Sequence, residues 1–366
     1  MDFTIALILL QDGIVNGAIY ALLGLALVLV FTVTRVIFIP QGEFVAFGAL
    51  TLAMLIENKT PGTMWLLPLS GLVVFLMELR DTLRTQDWRK LIKTAFLYVA
   101  LPVAMLWVIP QLAAAKFPLW VDVLISMAMV VPLGPMLYRI AYQPLAEASV
   151  LVLLIVSVAV HFALSGLALV FFGAEGWRTP AFIDGTVDFG IGPWSAQSLF
   201  VVLTSVLMIT ALWLFFGHTL YGRALRATAV NRRGARLVGI STKMSGSLTF
   251  TLAAFIGALS GMLIAPVTTI YYDTGFLIGL KGFVAAIIGG MASYPVAAIG
   301  ALHDNARFTT AEQTPVAHAE TRADSGSGSS TGCGERACAH GTAGEGVDVI
   351  HEVAGGVAVR VHGRRR

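Results

Sequence analysis

Glu43 is the first residue of this chain whose type and place could do chemistry. It stands in RVIFIPQGEF (35–44), where Pro40 and Gly42 punctuate an apolar run beside Gln41. A helix broken at membrane depth is tolerated only where protein or a watery cavity satisfies the freed backbone. An ionisable group at such a place is a functional candidate. Two readings fit: a polar lining for a solute route, or a short re-entry with Glu43 at a helix N-terminus, favoured by the dipole. Lys281 is the second candidate, in GFLIGLKGFVAAIIGGMASYPVAAIGAL (275–302). There Gly289, Gly290 and Pro295 suggest two half-helices around a bend, and small residues let helices approach closely. The alternative for Lys281 is snorkelling to an interface.

The third candidate is the basic stretch GRALRATAVNRRGARLVGIST (222–242). Asn231 can cap a short helix and Gly239 suits the left-handed position that ends it. Ser241 or Thr242 can cap the apolar run that follows. On the short helix Ala235, Leu237 and Val238 offer a small apolar surface, with Arg232, Arg233 and Arg236 around it. The arginines either anchor the loop to anionic headgroups, at about 1 kcal/mol each, or belong to a docking helix for a partner. A defined, capped helix favours docking, because a lipid anchor does not need one.

Other chemistries find no support. There is no GxxxxGK[ST] to cradle a nucleotide, and no HExxH or GxSxG motif. His161 is a lone histidine in an apolar run, which favours a packed or pore-side role over metal ligation. Cys333, Cys338 and His340 have poor zinc spacing. No metal, cofactor or nucleic acid is therefore expected, and no catalytic residue.

These groups must be positioned by elements that lipid can solvate. Of 366 residues 57% are hydrophobic and only 12% charged, with a mean hydropathy of +0.81. Soluble domains carry about 25% charged residues. Apolar blocks near 5–33, 36–56, 63–77, 94–110, 118–138, 149–172, 196–217, 247–270 and 276–302 approach the roughly 20 residues a span requires. The fold expected is an all-α, polytopic transmembrane bundle of about 8–9 spans. Residues 1–33 are too long and too apolar for a cleaved signal peptide. Between spans lies a charged segment, ELRDTLRTQDWRKLIK (78–93), whose spacing allows helix-face pairs of Glu78 and Asp81 with Arg84. Alternating the spans from an outer N-terminus puts thirteen Lys/Arg on one side and three on the other. Positive charge marks the cytoplasmic side, so the 218–246 loop is expected there.

From His303 the apolar blocks stop, and five of the seven histidines and both cysteines follow. Residues 1–302 thus read as the transmembrane domain, and 303–366 as a low-complexity, disordered or frameshifted tail.

Several stretches resemble one known family. NGAIYALLGLALVLVFTVTRVIF (16–38), the QGEF after it, YQPL (142–145) and VLVLLIVSVAVHFALSGLALVFFGAEG (150–176) are similar to the inner-membrane permease of branched-chain amino acid ABC importers. The likeness continues through GRALRATAVNRRGARLVGIS (222–241), LTFTLAAFIGALSGMLIAP (248–266) and the 275–302 segment. Residues 75–118 look like an insertion relative to shorter members, and the polar tail departs from the family pattern. The resemblance implies a permease that is not itself an enzyme. It would pair with a second homologous permease and be driven by two cytosolic ATPase subunits. A periplasmic binding protein would deliver the solute. It also implies that Asn231, Arg232, Arg233, Ala235, Arg236, Leu237, Val238, Gly239 and Ile240 couple to the ATPase. Gln41, Glu43, Lys281, Gly289 and Gly290 would then flank the route. The competing expectation is an ion-coupled secondary transporter, for which Glu43 is the contender.

Overall fold

Long uniformly apolar runs make helices here because only a helix satisfies its own backbone inside hydrocarbon. The first, α1 (Phe3–Thr34), has 32 residues, and at about 1.5 Å each it exceeds the roughly 30 Å core. It ends at Arg35, a non-glycine with φ of 59° whose N–H still reaches the Phe31 carbonyl at 2.8 Å. The chain then runs outside regular structure to Pro40 and re-enters as α2 (Gln41–Ile56). The structure, a computed structural model, describes residues 3–85, 95–113, 118–188 and 193–288, all within the unit Met1–Val316.

Next come α3 (Thr63–Thr85), a π-helical turn at Phe96–Ala100 leading into α4 (Leu101–Ala113), and α5 (Leu119–Val130). After it, α6 (Leu133–Leu137) passes into a second π-helical turn, Tyr138–Tyr142. Then follow α7 (Val150–Phe172), a small hairpin of β1 (Thr186–Asp188) with β2 (Pro193–Ser195), and α8 (Ala196–His218). The chain continues as α9 (Leu220–Val230), α10 (Arg232–Leu237), α11 (Thr242–Ile264) and α12 (Thr274–Ile288). Each of the nine apolar blocks contains a helix. Among the described residues six helices are long and apolar enough to cross a membrane, and three apolar helices are shorter. The charged segment from residue 78 begins as helix, as its face-pair spacing allowed, because α3 continues through Glu78 as far as Thr85. Glu78 pairs there with Arg139, and the Arg84 side chain lies outside the described residues.

The centre of the bundle is α2, buried at every position from Gln41 to Leu55. It packs against α11 and α12 at backbone distance. A Cβ on Gly42 would collide with the Gly275 carbonyl, and one on Gly261 with that of Val45. Such contact is open to glycine alone. The break before α2 is packed with rings: Phe38 lies 4.8 Å from Phe250 and 5.8 Å from Tyr142 between centroids. By contrast α7 and α8 turn large apolar side chains outward, among them Phe162, Val170, Leu203 and Trp213.

Candidate functional site

The α1–α2 break and α7 meet at one polar point. Gln41 opens α2 and donates through Nε2 to the Ala253 carbonyl of α11 at 3.0 Å. Glu43 follows in the first turn, where the exposed N–H groups of a helix favour a carboxylate. Its side chain is fully buried, and His161 Nδ1 of α7 stands 2.8 Å from its Oε1. The ring N–H is not aimed along that line, so neither atom has a regular hydrogen bond. The approach is a close polar contact between two otherwise unpartnered groups. Phe276 of α12 stacks on the imidazole at 4.5 Å between centroids and 25° between planes. Three separate elements thus enclose one ionisable pair, whereas spacing alone left Glu43 and His161 unrelated.

Of the other candidates for a route, Lys281 projects from the exposed side of α12, 5.6 Å from the Tyr20 ring centre. It shares that face with exposed Leu277 and Leu280. Gly289 and Gly290 lie outside the described residues, as does the 303–366 tail.

The second site is the basic segment. Asn231 caps α10, its side chain accepting from the Gly234 N–H at 2.9 Å, and Gly239 has φ of 87°. Ser241 rather than Thr242 caps α11, accepting from the Met244 N–H at 3.4 Å. The surface of α10 differs from the one expected. Ala235 is buried, so it contributes nothing to an outer patch. Arg232 also turns inward and donates to the Val33 carbonyl through Nε at 3.0 Å and through Nη2 at 2.8 Å. Val33 lies in the last turn of α1, where helix carbonyls lack intrahelical partners and favour a cation. Partial burial lowers the Arg232 guanidinium from its ordinary pKa, with Tyr138 opposing and Arg35 and Arg236 adding to the shift. Arg236 bridges to Glu147 at 3.3 Å and to Thr242 Oγ1 at 3.2 Å. What remains outside is Arg233, with Leu237 and Val238, which are 88% and 75% exposed. Beside α10 a groove of about 630 Å³ opens between Gln143, Glu147, Arg236 and Lys243.

The two sites are mechanically continuous. Arg232 grips the end of α1, and seven residues after Thr34 the chain becomes Gln41 and α2. The end of α1 thus lies between the Arg232 contact and the break that precedes Glu43. Nothing in the spacing of the basic segment signals this. An inward arginine and an outward one look alike in a sequence.

Comparison with known proteins bears on the same elements. LivH of Salmonella typhimurium, a high-affinity branched-chain amino acid transport system permease protein, is 30% identical over 171 residues, 45% of this chain and 55% of that protein. BraD of Pseudomonas aeruginosa, of the same description, is 29% identical over 175 residues, 46% of this chain and 57% of its own. LsrC of Yersinia pseudotuberculosis, an autoinducer 2 import system permease protein, is 32% identical over 91 residues, a quarter of each chain. The chain spans about half the length of the first two relatives. No solved structure matches it. The family model described as "Branched-chain amino acid transport system / permease component" matches residues 9–303, and by that match this multi-pass helical chain belongs to the family.

Proposed function

We propose that the chain is the transmembrane permease subunit of an ATP-driven importer of branched-chain amino acids or related solutes. The observation that carries the reading is the Arg232 clamp. A capped rod grips the end of a spanning helix on its inner side and presents Arg233, Leu237 and Val238 on its outer side. That construction suits a lever worked from outside the bundle. Two cytosolic ATPase subunits would engage α10, with Asn231, Arg232, Arg233, Ala235, Arg236, Leu237, Val238, Gly239 and Ile240 forming or supporting the coupling segment. Arg232 and Ala235 act in it as internal supports. A second homologous permease completes the conduit and a periplasmic binding protein delivers the solute. The chain sits in the bacterial inner membrane with its N-terminus outside and the 218–246 loop cytoplasmic, as the Lys/Arg bias supports.

Gln41 and Glu43 are assigned to the wall of the route, with Lys281, Gly289 and Gly290 along the α12 side. The autoinducer 2 import description of LsrC widens the solute class beyond amino acids. A decisive experiment reconstitutes the permease pair, its ATPases and its binding protein in proteoliposomes and follows leucine uptake. ATP-dependent uptake that Leu237→Asp uncouples from hydrolysis, with subunit assembly weakened, supports the reading; unchanged coupling removes it.

The buried Glu43–His161 pair favours one second reading, an ion-coupled secondary transporter, since such proteins place ionisable groups at membrane depth. Uptake that survives ATP depletion and collapses with the ion gradient would select it. We also assign residues 1–302 to the permease domain and 303–366 to a low-complexity tail in a shifted reading frame, supported by composition. Apolar helices encoded in a neighbouring frame near codon 300 are the expected finding, and their absence removes the assignment.

A further inference from the structure

An apolar groove of about 450 Å³ runs between α1 and α8, with walls from Leu25, Leu29, Ile209, Trp213 and Phe216. Its lining is almost wholly apolar, and Arg226 of α9 is the one charged residue among the described residues that line it. Arg226 is exposed and has no hydrogen-bond or ion-pair partner among the described residues. The helix that carries it is amphipathic: Gly222, Leu225 and Thr228 are buried, while Leu220, Tyr221, Arg223 and Arg226 face outward. A helix of that pattern lies along an interface rather than across it. Gly222 lets α9 sit against the Phe215 carbonyl, which keeps the helix that carries Arg226 close to the end of α8. The exposed Trp213 indole is of the type that settles at headgroup depth.

We propose that this groove seats an acyl chain of a bound phospholipid whose phosphodiester is held by Arg226. The polarity gradient is the argument. An apolar slot whose lining includes one unpaired guanidinium matches a molecule with a long apolar tail and a single anionic head. A transmembrane helix from a partner protein would cover the apolar walls but bury an uncompensated cation. The phosphate supplies the counter-charge through charge-assisted hydrogen bonds. Because α9 leads directly into α10, the lipid also steadies the helix on which the coupling segment is hung. The seating itself does not depend on which solute is carried.

The test uses the full-length chain, purified and delipidated, then offered dioleoylphosphatidylglycerol or dioleoylglycerol, with bound lipid read by native mass spectrometry. Wild type is expected to retain the phospholipid and lose the diglyceride, which has the same tails without phosphate. Arg226→Gln should lower retained phospholipid about tenfold, and Thr210→Trp, which fills the groove, should abolish it. Arg223→Gln should retain it, since that arginine donates to the His218 carbonyl at 3.3 Å and does not line the groove. Equal retention of the two lipids overturns the proposal, as does phospholipid binding indifferent to both Arg226→Gln and Thr210→Trp. A photocrosslinker at position 210 that captures a second permease's helix and excludes lipid also overturns it.

Discussion

The break before α2 and the rod α10 both place ionisable side chains where a bundle must account for them, and they do so in opposite ways. Around the break Glu43 and His161 are withdrawn from solvent and have little but each other. On α10 the charges are divided: Arg232 is half-buried against the end of α1, while Arg233 points out. The first arrangement makes both groups costly to disturb, because a lone polar group in a tight apolar core has no water to turn to. The second separates support from contact, so that one arginine holds the rod and another is free to meet a partner. The proposed lever needs both a stiff mount and an accessible handle, and Arg232 and Arg233 are the consecutive residues assigned to them.

The comparison makes a graded set of expectations. Removing one member of the buried pair should cost most. Glu43→Leu is expected to lose about 3 kcal/mol by leaving the buried His161 imidazole without its close polar neighbour, read as a lowered unfolding midpoint in detergent. The double variant with His161→Leu should recover most of that, and a double as unstable as the single would show the two are not coupled. Arg232→Met comes next, at about 2 kcal/mol for a charged group's hydrogen bonds. It should also loosen the end of α1, visible as faster amide exchange around residues 31–35. Protection unchanged there would break the proposed link between rod and break. Asn231→Ala should cost about 1 kcal/mol through the lost cap, with exchange gained only in 232–235. Arg233→Glu should be smallest in stability, within about 0.5 kcal/mol, yet lower ATPase affinity for the permease. A stability loss equal to that of Arg232→Met would erase the distinction between mount and handle.

Much of this was legible without coordinates, for reasons that differ by feature. The Asn231 cap and the Gly239 turn follow from residues only a few positions apart, so local backbone chemistry settles them. The extension of α3 past Glu78 was legible in part. The charged spacing suited a helix face, but the tie from Glu78 across to Arg139 was not to be read from it. Lys281 was expected at the solute route or at an interface. Its exposed position beside Leu277 and Leu280 places it on the outer face of this chain.

By itself the sequence determined the all-α, membrane-embedded class, the rough extent of most apolar helices and the cap of α10, and it narrowed the cap of α11 to Ser241 or Thr242. Those depend on the transfer of whole apolar segments and on hydrogen bonds within one turn, both of which are summed over adjacent residues. Only the tertiary structure decided that Glu43 meets His161 and that Arg232 reaches a carbonyl 199 residues earlier in the chain. It also decided that Ala235 is hidden while Leu237 is bare. Those outcomes hang on how helices rotate against one another, which close glycine contacts such as Gly42 on Gly275 fix across long separations. A pattern of residue types carries the period of a helix but not the angle at which its neighbours receive it.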